Sequence, residues 1–254
     1  MTALSINLNK IALIRNSREG NYPSVVEHAK TCIDCGVDGI TVHPRPDQRH
    51  IRPDDVRQLA ALTRPLDEVE FNIEGNPFAD ALGSYPGLIS LVQETQPNQC
   101  TLVPDADNQL TSDHGFDLTQ QADLLAPIIK QIKAMGVRVS LFMDPDIEQI
   151  KLASEVGADR IELYTGPYAA AWGSNQLETL FHQHLDAANL ATSLGMGVNA
   201  GHDLNLDNLA KFASIPDLLE VSIGHAFTVD SLNMGMVSAI EAYQSCLPKI
   251  KNDP

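Results

Sequence analysis

A chain of 254 residues with 17 Lys and Arg against 33 Asp and Glu carries a formal charge of −16, which argues against nucleic acid or an anionic membrane surface as the main partner. A few cations gathered in one cleft still suit a small anion, because charges at close range outweigh a screened distant field. The length and the 43% apolar share predict one globular domain over residues 1–254, of the size that eight βα units usually need.

The opening segment, 1–10, has neither a basic leader nor a long apolar run, and no later segment approaches the roughly 18 apolar residues of a membrane span. The expected compartment is the cytoplasm. From there the chain alternates. Short β-rich apolar runs stand at 4–8, 39–42, 69–73, 99–103, 138–142, 160–163, 197–199 and 219–223. Between them apolar residues recur at helical spacing, as in Val25, Val26, Ala29, Cys32 and Ile33, then Leu125, Ile128, Ile129, Ile132 and Met135, then Ile147, Ile150, Ala153 and Val156. Gly36, Gly136, Gly157 and Gly195 each stand just before a strand, where a helix must end. Eight strands alternating with helices predict an α/β fold, the (β/α)8 TIM barrel. An open doubly wound sheet is the alternative, and the absence of G-x-G-x-x-G after the first strand counts against its dinucleotide-binding form. The polar segment 104–121 and the Gly-, Ala- and aromatic-rich 164–176 exceed a minimal barrel. Both follow strands and are expected to be binding loops on the carboxyl-end face. Cys32 and Cys35 have C-x-x-C spacing but sit where a helix ends, and Cys100 and Cys246 are distant, so a structural role is expected rather than redox or zinc chemistry.

Strand ends and the loops after them line the active site of such a barrel. Reading only those positions collects Asn7, Asn9, Lys10 and Arg18, then His43, Arg45, Arg49 and His50, then Glu74, Asp144, Glu162, His202 and His225. His28, His182 and His184 fall in helical segments and are expected to face solvent. A Glu inside the apolar run Glu70-Phe-Asn-Ile-Glu74 is hard to explain structurally, because an unpaired buried carboxylate costs several kcal/mol. Histidines and raised carboxylates on one rim suit repeated general acid–base transfers. No G-x-S-x-G appears, and His43-Pro-Arg offers no H-x-H for a metal, so acyl transfer and metal-assisted hydrolysis are not expected. Gly201 and Gly224, after the seventh and eighth strands, suit a phosphate held by backbone N–H groups, with Arg18, Arg45 and His50 supplying charge.

The strings Gly39-Ile-Thr-Val-His43-Pro-Arg45 with Arg49-His50-Ile51, Asn72-Ile-Glu74-Gly, Thr101-Leu-Val-Pro104, Ser140-Leu-Phe-Met-Asp144, Ile161-Glu162-Leu-Tyr-Thr-Gly166, Val198-Asn-Ala-Gly-His202 and Ser222-Ile-Gly-His225-Ala run in order along nearly the whole chain. Together they resemble the pyridoxine 5′-phosphate synthase family. The resemblance implies a metal-free and cofactor-free barrel with extra helices, usually an octamer. It implies joining of 1-deoxy-D-xylulose 5-phosphate to 3-amino-2-oxopropyl phosphate, with release of phosphate and water. By the same resemblance, Glu74 and His43 are proton acceptors, His202 a proton donor, and Glu162 a stabiliser of the transition state. Asn9, Lys10, Arg45, His50 and Thr111 would hold the deoxyxylulose phosphate, and Asn7, Arg18, Asp203, Gly224 and His225 the aminoketone phosphate. Many members have Asp-His at Asn9-Lys10 and Gly at Asp203. A carboxylate beside a phosphate is repulsive, so the backbone N–H of Asp203 is the expected contact. Two rival readings stay open: another barrel enzyme acting on one sugar phosphate, and a non-catalytic phosphate-binding barrel that would tolerate loss of Glu74.

Overall fold

Eight parallel strands pair in chain order and close on themselves, β8 against β1. The strands are β1 (Ala3–Asn7), β2 (Gly39–Val42), β3 (Glu70–Gly75), β4 (Gln99–Leu102), β5 (Arg138–Met143), β6 (Arg160–Tyr164), β7 (Gly197–Gly201) and β8 (Leu218–Ile223). The structure is a computed structural model, and it describes residues 2–106 and 109–248. Asp107 and Asn108, within the long polar loop, lie outside the described residues, as do Met1 and 249–254. All eight strands stand where the β-rich runs predict them, with ends shifted by a residue or two. Among the described residues the helices are α1 (Asn9–Asn16), α2 (Val25–Asp34), α3 (Pro53–Thr63), α4 (Leu88–Thr95), α5 (Leu118–Ala134), α6 (Ile147–Glu155), α7 (Gly166–Ala170), α8 (Leu177–Ser193), α9 (Leu209–Phe212), α10 (His225–Met234) and α11 (Met236–Cys246). No described helix is long and apolar enough to cross a membrane.

Strand alternation makes two different interiors. One set of strand side chains, among them Leu4, Ile6, Ile40, Phe71 and Val139, is buried with the apolar faces of the helices. The other set turns into the barrel and is polar. Ser5 Oγ and Thr41 Oγ1 lie 2.8 Å apart, and Thr101 donates to Asn72 at 3.2 Å. Gln99 of β4 donates across the barrel to Glu220 of β8, which also accepts from Asn199 at 3.0 Å and pairs with Arg160 at 3.3 Å. Such a lumen is stable only because its members satisfy one another. It sits beneath the carboxyl-end face and leaves that face lined with polar groups.

Local chemistry sets where the helices begin and end. Asp146 caps α6 by accepting from the N–H groups of Glu148 and Gln149 at 2.9 and 3.0 Å. Gly136 ends the α5 segment at φ +80°, a left-handed turn that a side chain disfavours. Three expectations need correction. The segment 164–176 is not all loop, because Gly166–Ala170 winds into α7 behind the Pro at its start. Asn9 and Lys10, expected at the end of the first strand, form instead the first turn of α1. His184 does not face solvent: it is fully buried, with Nδ1 2.7 Å from the Leu180 carbonyl oxygen and Nε2 3.0 Å from that of Tyr164.

Candidate active site

The carboxyl ends of the strands open on a cavity of about 330 Å³. Of the site residues picked from the sequence, Arg18 and Asp144 do not line it, and Asp144 instead accepts from the Gly115 N–H at 3.1 Å. Arg18 is exposed beyond the end of α1.

One wall belongs to β1 through β4. His43, the first residue past β2, is buried, and its backbone N–H donates to Asn9 Oδ1 at 2.9 Å. Asn7 accepts from the Asn9 N–H at 3.0 Å and donates to Glu74 at 3.3 Å. Winding Asn9 into α1 thus ties β1, β2 and β3 together at their ends. His43 Nδ1 lies 3.8 Å from the Glu74 carboxylate. Burial, then the charges of Asp105 and Glu220, push Glu74 up to about 8. Burial, then Arg45, hold His43 well below the usual imidazole range. At neutral pH the pair is therefore a neutral imidazole beside a carboxyl group that straddles its proton, a combination able to take and return one. His50 stands edge-on to His43 at 6.2 Å, and burial with its cationic neighbours lowers it to about 2. As a neutral ring, with Nδ1 accepting from the Ile51 N–H at 2.9 Å, it offers a hydrogen bond rather than charge. Arg45 is buried and pairs with Asp105, and Nη1 donates to the Gln109 carbonyl at 3.2 Å.

The facing wall comes from β6 to β8. Glu162 is buried on β6, and burial, then the charge of Glu74, raise its carboxyl well above the ordinary range. Gly201, beside it on β7, leaves room for the Glu162 carboxylate, which a Cβ there would push aside. His202 and Asp203 then follow with φ of +82° and +59°. Two consecutive side-chain-bearing residues in left-handed conformation cost of order 1–3 kcal/mol each, a strain typical of functional turns. The Thr165 hydroxyl, donating to the Gly201 carbonyl at 2.8 Å and also to that of His202, holds the turn, as does Asn208 Nδ2 on the Asp203 carbonyl at 3.2 Å. His202 Nε2 meets Thr111 Oγ1 at 3.0 Å, which brings the long polar loop over the cavity. The Asp203 carboxylate is turned aside to His202 Nδ1, 3.0 Å away, and the hydrogen bond to His202 holds it below the usual carboxylate range. Gly224 and His225 open α10, so that a helix N-terminus faces the cavity beside Lys10, a place suited to an anion.

The sequence reading missed Asp105. It lies on the polar loop just past Pro104, is buried, and links Arg45 to His43, whose Nε2 is 3.4 Å away. Nothing in the string Pro104-Asp-Ala marks this aspartate as the one that turns inward. Phe142 and Ser112 also line the cavity without having been singled out. Cys32 is buried in the core at the end of α2, and burial pushes its thiol up to about 12, which suits the structural role expected for it. Among the described residues, no three His, Cys, Asp or Glu side chains gather as a metal site.

Residues 4–249 match the family described as Pyridoxal phosphate biosynthesis protein PdxJ. The chain is 56% identical over 247 residues to the pyridoxine 5′-phosphate synthase of Xanthomonas axonopodis pv. citri (strain 306), covering 97% of this chain and 96% of that protein. It is 51% identical over 250 residues to the pyridoxine 5′-phosphate synthase of Xylella fastidiosa (strain M23), covering 98% and 96%. Among solved structures it is similar to 3-hexulose-6-phosphate synthase from Salmonella typhimurium, with TM-score 0.64 and 16% identity over 97% of this chain and 98% of that one. KGPDC from Streptococcus mutans gives TM-score 0.61 and 11% identity over 97% of both chains. At those identities the structural likeness carries the barrel fold alone. A match across almost the whole length, with curated relatives above half identity, means that this chain belongs to the Pyridoxal phosphate biosynthesis protein PdxJ family, whose relatives here are pyridoxine 5′-phosphate synthases.

Proposed function

We propose that this enzyme makes pyridoxine 5′-phosphate by condensing 1-deoxy-D-xylulose 5-phosphate with 3-amino-2-oxopropyl phosphate, releasing phosphate and water. The observation that carries the proposal is the meeting of His43, Glu74, Glu162 and His202 in one cavity with Arg45, Lys10 and the α10 N-terminus. Ring closure needs an amine to attack a ketone, protons to leave carbon, and hydroxyls to depart as water. Glu74 and His43, on neighbouring strands, are aimed at one bound intermediate and take its protons in turn. His202, on the opposite wall, returns a proton to a departing hydroxyl, and Glu162 beneath it stabilises the charge that builds up. The deoxyxylulose phosphate is held by Asn9, Lys10, Arg45, His50 and Thr111. The aminoketone phosphate is held by Asn7, Arg18 reaching in from the end of α1, the Asp203 backbone N–H, Gly224 and His225. The whole of 1–254 acts as one barrel unit, in the cytoplasm, as a homo-octamer. Exposed apolar side chains on α1, α10 and α11, such as Leu13, Leu232 and Val237, support assembly.

Glu74→Gln tests the acid–base reading, because it keeps shape and hydrogen bonding but removes the base. The expected fall in kcat is roughly 10²–10⁴-fold, the usual worth of a general base, with much smaller changes in substrate binding. Combining it with His43→Asn should cost less than the product of the two single changes. Near-normal turnover by a folded Glu74→Gln protein would mean that the carboxylate is structural.

A further inference from the structure

Asp105 is a buried acid, packed against His43 and Arg45 beside this cavity, to which no role has been given. Its Oδ2 pairs with Arg45, accepts from Ser112 Oγ at 3.1 Å and lies 3.4 Å from His43 Nε2, while Oδ1 has no hydrogen-bond partner among the described residues. Asn76 Nδ2, donating to its carbonyl at 2.6 Å, fixes the backbone there. One carboxylate oxygen is thus shared between the cation proposed to hold a substrate phosphate and the imidazole proposed to take protons. We propose that Asp105 is a positioning residue that couples the two, so that capture of a phosphate by Arg45 turns the carboxylate's influence onto His43 and makes that histidine a stronger base.

The coupling follows from charge and geometry, and it rests on the roles proposed for Arg45 and His43. With Nε2–H aimed at Asp105, the ring keeps its lone pair on Nδ1, which faces Glu74 at 3.8 Å. Asp105 therefore selects the tautomer that can accept a proton on the cavity side, as the buried aspartate of a catalytic triad does. In the empty site the Arg45 guanidinium neutralises the carboxylate, and Arg45 and Arg49, together with burial, keep His43 uncharged against the pull of Asp47. The remaining groups close to His43 are Glu74 from β3 and the His50 ring, and those acting on Asp105 include His114 and Asp113 of the polar loop. A phosphate ester brings close to two negative charges at neutral pH. Once it draws on the Arg45 guanidinium, Asp105 is left with less compensation. The group that can answer is His43, because a proton taken up at Nδ1 yields an imidazolium whose Nε2–H still points at the carboxylate. The base is weak while the site is empty and strong once a phosphate is in place.

The test follows the His43 ring by ¹⁵N NMR across pH in the full chain, with the resonance assigned by loss in His43→Asn. Titrations are run without ligand, with inorganic phosphate, and with 1-deoxy-D-xylulose 5-phosphate. Bound phosphate should raise the His43 midpoint by about one unit or more, the usual effect of an opposite charge within hydrogen-bonding reach. In Asp105→Asn the rise should vanish while either ligand binds as well or more tightly, its competitor for Arg45 having gone. Turnover of Asp105→Asn should fall about 10- to 100-fold, as when other carboxylates that orient a functional histidine are removed, with KM for the deoxyxylulose phosphate unchanged or lower. Asp105→Glu should restore part of it. A midpoint that ignores both ligands in the unmodified protein overturns the proposal. So does an Asp105→Asn protein that binds phosphate more weakly at unchanged kcat, because Asp105 would then only anchor Arg45. The inorganic phosphate arm needs no turnover. A midpoint rise in a chain that forms no pyridine ring would sink the proposed reaction and leave the coupling standing.

Discussion

Burial beside Asp105 and Glu220 makes the proton of Glu74 hard to remove, and two pH dependences follow. A base must be ionised to act, so kcat/KM should rise with pH through an acid limb near 8, the value to which Glu74 is pushed. A profile measured on the free enzyme that is already flat from pH 6 upward contradicts this. The second dependence is on stability. The folded state holds the Glu74 proton up to about pH 8, whereas an unfolded carboxyl releases it near its ordinary 4.5. Folding stability therefore falls as pH rises through that window. Glu74→Gln removes the cost, so its Tm should gain on the parent protein between pH 5 and 8 and level off above. A Tm difference independent of pH speaks against the raised carboxyl. At the phosphate end, Arg45→Met should weaken 1-deoxy-D-xylulose 5-phosphate by about 1.5–3 kcal/mol, the worth of a charge-assisted contact. Arg18→Met, outside the cavity, should leave that binding within about twofold. Calorimetric titration distinguishes the two, and equal losses would remove Arg45 from its proposed place.

At the scale of elements, strands were easier to read than the helices that shape the site. β-branched and apolar runs mark all eight strands, because the strands are buried on both faces, and a left-handed glycine (Gly36, Gly136, Gly157 or Gly195) announces four of them. The string Asn9-Lys-Ile-Ala-Leu-Ile-Arg-Asn16 follows β1 without a cap residue or acidic first turn, so nothing announces α1. His184 misled because polarity suggested a wet face, while two carbonyl oxygens inside satisfy both ring nitrogens. Asp105 stayed hidden among the aspartates of one polar loop, since only the barrel brings it to Arg45. Residues on strand ends were legible for the opposite reason: the fold itself aims them at one point. The β7 end offers a direct check on that aim. Gly201→Ala would displace the flexible Glu162 carboxylate without touching the core, so the protein should fold while kcat falls toward 100-fold, the usual effect of a misplacement near 1 Å. Unchanged kcat would show that Glu162 is not needed where it stands.

For the molecule as a whole, a charge of −16 and a cationic pocket are compatible because Arg45, Arg49 and Lys10 converge where the strand ends meet. The same charge opposes self-association, so the proposed octamer has to rest on the apolar side chains of α1, α10 and α11. Sedimentation of the purified chain should show a species eight times the monomer mass, and Leu232→Asp should break it down. A monomer at micromolar concentration contradicts the assembly. The most direct measurement is of the reaction itself. Purified protein, treated exhaustively with chelator, is mixed with 1-deoxy-D-xylulose 5-phosphate and 3-amino-2-oxopropyl phosphate while pyridine absorbance and free phosphate are followed together. The expected result is one phosphate released for each ring formed, at a rate the chelator does not change, and no product from either ketone alone. Turnover of a single ketone, phosphate release without a pyridine chromophore, or activity lost to chelator and restored by one divalent ion would contradict a metal-free acid–base condensation at this rim.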